Sequence, residues 1–105
     1  MKRVNAYSFA SALPLPDMFA RLNALGPWRW IERDNDRWGE YISAGVLDAP
    51  DRGIVKIFVE LDRFAVDYVL ESESRERLDA VFDTLFAHLL PAIGAQDLAE
   101  TDHHE

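Results

Sequence analysis

Residues 53–71 constrain the fold more than any other part of this chain. Two largely apolar runs, 53–61 and 64–71, flank Asp62-Arg63, which reads as a β-hairpin. A two-residue loop there sets Leu61 opposite Phe64, Val59 opposite Val66, Ile57 opposite Tyr68 and Val55 opposite Leu70. All four pairs are apolar. The alternate positions set Glu60 opposite Ala65, Phe58 opposite Asp67 and Lys56 opposite Val69. One register therefore sorts a buried face from a mixed one, and a symmetric four-residue loop keeps the same pairs.

The rest of the chain is built around this hairpin. Residues 2–11 mix Val4, Tyr7 and Phe9 with small polar residues and read as a strand. After Pro14 and Pro16, the residues Leu15, Met18, Phe19, Leu22 and Leu25 fall on one side of a helix, with Asp17 favoured near its positive end. Gly26-Pro27 stops it. Residues 28–33 and 38–46 flank Asp34-Asn35-Asp36-Arg37 and predict a first hairpin with Asn35-Asp36 at the turn. The loop 47–53 is rich in turn formers. Ser72 or Ser74 can cap a second helix with the stripe Leu78, Val81, Phe82, Leu85, Phe86 and Leu89, ending near Pro91.

This order, β-α-β-β-β-β-α, predicts an α+β two-layer sandwich with a mostly antiparallel five-stranded sheet and two helices on one face. A right-handed crossover through the first helix would make strands one and two parallel, a mixed sheet related to a split βαβ or ferredoxin-like layout. At 105 residues the chain has room for one core. The expected division is a single domain over 1–94 and an acidic, partly disordered tail over 95–105.

Charge narrows the partners. The net charge is −8, and it is uneven: residues 1–47 hold 6 basic and 5 acidic side chains, while residues 48–105 hold 5 and 14. Such a field repels nucleic-acid phosphates and anionic membranes and attracts a basic protein. Neither nucleic acid nor membrane is an expected partner. Nine of the 11 basic residues are Arg, which we read as the codon bias of a GC-rich, bacterial source. With no apolar leader and no cysteine, a cytoplasmic location is expected.

Chemistry-bearing patterns are few. There is no nucleophile motif and no Gly-rich phosphate loop, so no cofactor is expected. His88 falls beside the helix stripe, and Asp102-His103-His104-Glu105 lacks a preorganised frame for a metal. The paired carboxylates Asp34/Asp36 and Glu71/Glu73 sit where turns and helix starts explain them. The chain therefore reads as a binding protein more readily than an enzyme.

The densest constellation is residues 27–43, with three tryptophans and three arginines. With Asn35-Asp36 as the turn, Trp30 pairs with Tyr41 and Trp28 with Ser43 on the core side. The opposite face carries Arg29 beside Ile42, Ile31 beside Glu40 and Arg33 beside Trp38. Continued by Lys56 and Phe58, this Arg and aromatic surface is the candidate protein-binding face, of the kind enriched at interface hot spots. Three functions stay open. The first is a small acidic non-enzymatic binding protein, such as an immunity or inhibitor protein that neutralises a basic protein partner. The second is a small-ligand-binding or enzymatic homodimer with its pocket under the loop 47–53, and the third a structural or regulatory dimer.

Overall fold

The computed structural model describes residues 1–37 and 39–101. The elements follow in the order β1 (Lys2–Ala10), α1 (Leu15–Leu25), β2 (Trp30–Asn35), β3 (Gly39–Gly45), β4 (Arg52–Glu60), β5 (Arg63–Glu71), α2 (Arg75–Phe82), a π-helical continuation (Asp83–Leu89), α3 (Leu90–Ala92) and β6 (Gln96–Thr101). The strands form one sheet in the order β2-β3-β4-β5-β1-β6, antiparallel at every junction.

Three expectations are corrected here. Among the described residues the sheet has six strands, not five, and the sixth comes from the segment expected to be a tail. Gln96–Thr101 is exposed along its whole length and adds to β1 through backbone pairing, so an edge strand forms without an apolar pattern. The mixed, ferredoxin-like layout does not form either. β1 and β2 run in the same direction, but β5, β4 and β3 stand between them, and β1 lies antiparallel between β5 and β6.

Both hairpin registers differ from the expected ones. β4 and β5 turn at Leu61-Asp62, so Val59 faces Phe64, Ile57 faces Val66 and Val55 faces Tyr68. This slip of two residues keeps every side chain on its expected face. It also sets Glu60 against Arg63 and Lys56 against Asp67, two opposite-charge pairs that the expected register lacks. Leu61 adopts φ +44° to make the turn, at a cost of about 1–2 kcal/mol for an L-residue. In the first hairpin Asn35 pairs with Gly39, Arg33 with Tyr41 and Trp30 with Ala44. The Asn35 side chain accepts the Arg37 N–H at 2.7 Å, and Gly39 takes φ +73°. This slip is odd, so the faces of β3 exchange. Ile42 and Ala44 enter the core while Tyr41 and Ser43 turn outward.

The core lies between one sheet face and the helices. It joins Phe9, Trp30, Ile42, Val55, Ile57, Phe64, Val66, Tyr68 and Leu70 to Leu15, Met18 and Leu22 of α1 and to Leu78, Val81, Leu85 and Leu89 of the second helical run. Ser74 caps α2 by accepting the Arg77 N–H at 3.3 Å. Beyond Phe82 the turn widens, and the Leu90 N–H bonds the Leu85 carbonyl. The extra residue per turn rotates Leu90 and Ile93 into the core with Leu89. Pro91, which has no N–H to give, sits at the end of this wide turn.

Candidate functional site

The surface read from the sequence separates into three places. Ile31, Arg33, Lys56 and Phe58 do share the sheet face that the helices leave uncovered. Arg29 precedes β2 and stands beside a cleft on the helix side with Trp28 and Phe19. Glu40 lies on the helix side of β3, opposite Asp34, because the register of the first hairpin is odd relative to the expected one. Trp38 lies outside the described residues, as do Asp102, His103, His104 and Glu105.

On the open face, Phe58 is only 2% exposed. Its ring packs against Tyr41 with centroids 4.9 Å apart, and the Lys56 ammonium stands 5.8 Å from the Tyr41 ring centre. Asp67, opposite Lys56 and next to Ala6, is 2% exposed as well. The centre of this face is thus closed by its own long side chains. What it offers to a partner is the periphery, where Ile31 is 49% exposed and Val4 and Ile54 are also open to solvent.

The second place was missed by the sequence reading. Glu32, Asp34 and Glu40 share the helix side of β2 and β3, with Asp34 directly opposite Glu40 and Glu32 opposite Ile42. They rim a cleft of about 210 Å³ with Leu15, Phe19 and Ile42. All three carboxylates are exposed. Among the described residues no ion pair engages any of them. Like charges directly opposite across a ladder repel, by roughly 0.2–1 kcal/mol per pair. The signal that could have found this cluster is Gly39, a residue suited to the positive φ that it adopts at the start of β3, where the expected two-residue turn needs no such residue.

Phe19 also lines a second cleft of about 490 Å³, with Asn23, Pro27, Trp28, Arg29 and Trp30. Trp30 is 2% exposed, and its indole Nε1–H is buried with no acceptor among the described residues. Its backbone is fully engaged. The Asn23 side chain accepts the Trp30 N–H at 2.7 Å and donates to its carbonyl at 3.2 Å, holding α1 to the first residue of β2.

The loop expected to cover a pocket is tied to α2. Asp51 accepts from Arg77 Nη1 at 2.9 Å, and that hydrogen bond holds its carboxyl below the usual carboxylate range. The cleft here, about 310 Å³, has Val46, Leu47, Asp48, Asp51 and Arg77 in its wall. Gly53 lets the loop close, since a Cβ there would meet Val46 and Leu47 at 2.9–3.0 Å. Compared with known proteins, the chain matches no family model, no curated sequence and no solved structure.

Proposed function

We propose that this protein is a non-enzymatic binder of a basic protein partner, acting as an inhibitor or immunity protein does, and that it meets that partner through the Glu32, Asp34 and Glu40 face. The observation that carries the reading is the gathering of three carboxylates, without an ion pair among the described residues, around one cleft that Leu15, Phe19 and Ile42 line together with Arg33. A Lys or Arg side chain suits such a site, because its stem can lie on Phe19 while its head relieves the repulsion between Asp34 and Glu40. The net charge of −8 adds long-range attraction for the same partner.

The test uses three baits in lysate: the wild type, an E32Q/D34N/E40Q variant and an Ile54→Asp variant of the open sheet face. The expected result is one basic protein bound in equal amount by the wild type and the Ile54 variant, released by added salt and missing from the carboxamide variant. Retention of the same partner by the carboxamide variant would sink the assignment. A second reading, a homodimer formed through the open sheet face, is favoured by the exposed Val4, Ile31 and Ile54. It requires a dimer in light scattering that Ile54→Asp converts to a monomer.

A further inference from the structure

β2 is an edge strand, and among the described residues its outer side is hydrogen-bonded at one point only, Trp30. The Asn23 side chain bonds both backbone groups of Trp30, as a residue of a neighbouring strand would. Backbone groups alternate along an antiparallel strand, so those of Glu32 and Asp34 point to the same outer side as those of Trp30. Among the described residues no hydrogen bond reaches that side at Glu32 or Asp34. The open edge therefore begins where Asn23 leaves off. It runs beside the cleft of Leu15 and Phe19, under the carboxylates of Glu32, Asp34 and Glu40.

From these placements we infer that the partner enters by strand addition. An extended, basic segment of it would pair antiparallel or parallel with β2 from Glu32 to Asp34, as a seventh strand. This inference rests on the proposed function and specifies its mode of contact. Backbone pairing supplies affinity, and side chains alternating at period two supply the match. Lys or Arg at every second position of the segment would face Glu32, Asp34 and Glu40. Between the cationic positions, residues would point to the other face, towards Ile31 and Arg33. At the Trp30 end lies the second cleft, of Trp28 and Arg29, which shares Phe19 with the first. There a large apolar side chain of the segment would reach Trp28, and Trp30, with its unaccepted indole N–H, forms part of the wall.

Charge decides between occupants. A second copy pairing through its own β2 would align Glu32 and Asp34 of one chain with the same residues of the other, and like charges across a ladder are unfavourable. A cationic strand meets no such penalty. Charged side chains on an edge can also serve only to prevent sheet-to-sheet aggregation, and that alternative is an outcome of the test.

The probe is an acetylated, amidated hexapeptide of alternating Lys and Val, titrated into the full chain and followed by amide NMR. Its companion is the same peptide with every backbone N–H methylated. The expected result is saturable binding of the first peptide, with hydrogen exchange at the Glu32 and Asp34 amides slowed at least tenfold. Binding should weaken at least tenfold in E32Q/D34N/E40Q and vanish for the methylated peptide. Equal binding of both peptides, without protection at Glu32 and Asp34, would overturn strand addition and leave the acidic contact face standing. Equal binding to the wild type and the carboxamide variant would overturn both. Failure of the hexapeptide to bind at all overturns strand addition, and the edge charges then serve only against aggregation.

Discussion

Tyr68 shows how far a single side chain is shaped by the layer that covers it. It faces Asn5 and Val55 across its two neighbouring strands, and its ring lies edge-on to Phe82 and Phe86 at 5.4 and 6.3 Å. Burial, with a further contribution from the nearby Tyr7 hydroxyl, pushes the phenol up to about 12. The neutral form is thus the one that the fold favours. An unfolded chain ionises its tyrosines near pH 10, so this contribution to stability is intact below about pH 10 and is lost as the pH rises towards 12. Absorbance at 295 nm should show a late phenolate step that disappears in Tyr68→Phe. If the late step survives that substitution, another tyrosine is the buried one. Asp67 is the contrasting case, a buried carboxylate on the uncovered side of the same strand, opposite Lys56. Its position makes sense only in the observed register, since the expected one put it against Phe58.

At the scale of elements, the two hairpins explain what a sequence can and cannot reveal. Side chains alternate with period two, so the even slip at β4–β5 left Val55, Ile57, Val59, Phe64, Val66 and Tyr68 on the faces read from their pattern. The odd slip at β2–β3 exchanged Tyr41 and Ser43 with Ile42 and Ala44, and with them went Glu40. The strands themselves were legible in both. Turn geometry was not, because it depends on one residue's φ: Gly39 at +73° in one loop and Leu61 at +44° in the other. α1 and its Gly26 cap followed from spacing. β6 had no apolar code to read, being an exposed edge. The Leu61 turn carries its own prediction. Leu61 is wholly exposed, so its side chain contributes no packing to offset its left-handed backbone. Leu61→Asn should raise stability by about 0.5–1 kcal/mol, measured as a higher urea midpoint with unchanged slope. A lower midpoint would mean that the turn is not where the register places it.

Across the whole molecule, charge is distributed as a partition. The open sheet face holds five basic residues, Lys2, Arg33, Arg52, Lys56 and Arg63, against the three acids Glu60, Asp67 and Glu71. The rest of the sequence holds six basic residues against sixteen acidic ones. Self-repulsion is therefore concentrated away from that face, and most locally where Asp34 opposes Glu40. Such a cluster opposes folding unless a cation is present, so the proposed contact face is held at the expense of stability. Two measurements follow from one cause. Added salt should raise the unfolding midpoint of the wild type, because screening removes repulsion at separations near a Debye length of about 10 Å. At low salt Glu40→Gln should stabilise the chain by roughly 0.2–1 kcal/mol, and that gain should shrink as salt is added. A gain independent of salt would assign the effect to packing. A loss would mean that Glu40 has a favourable partner in the free protein, and the cleft would then have no unmet charge with which to recruit a basic one.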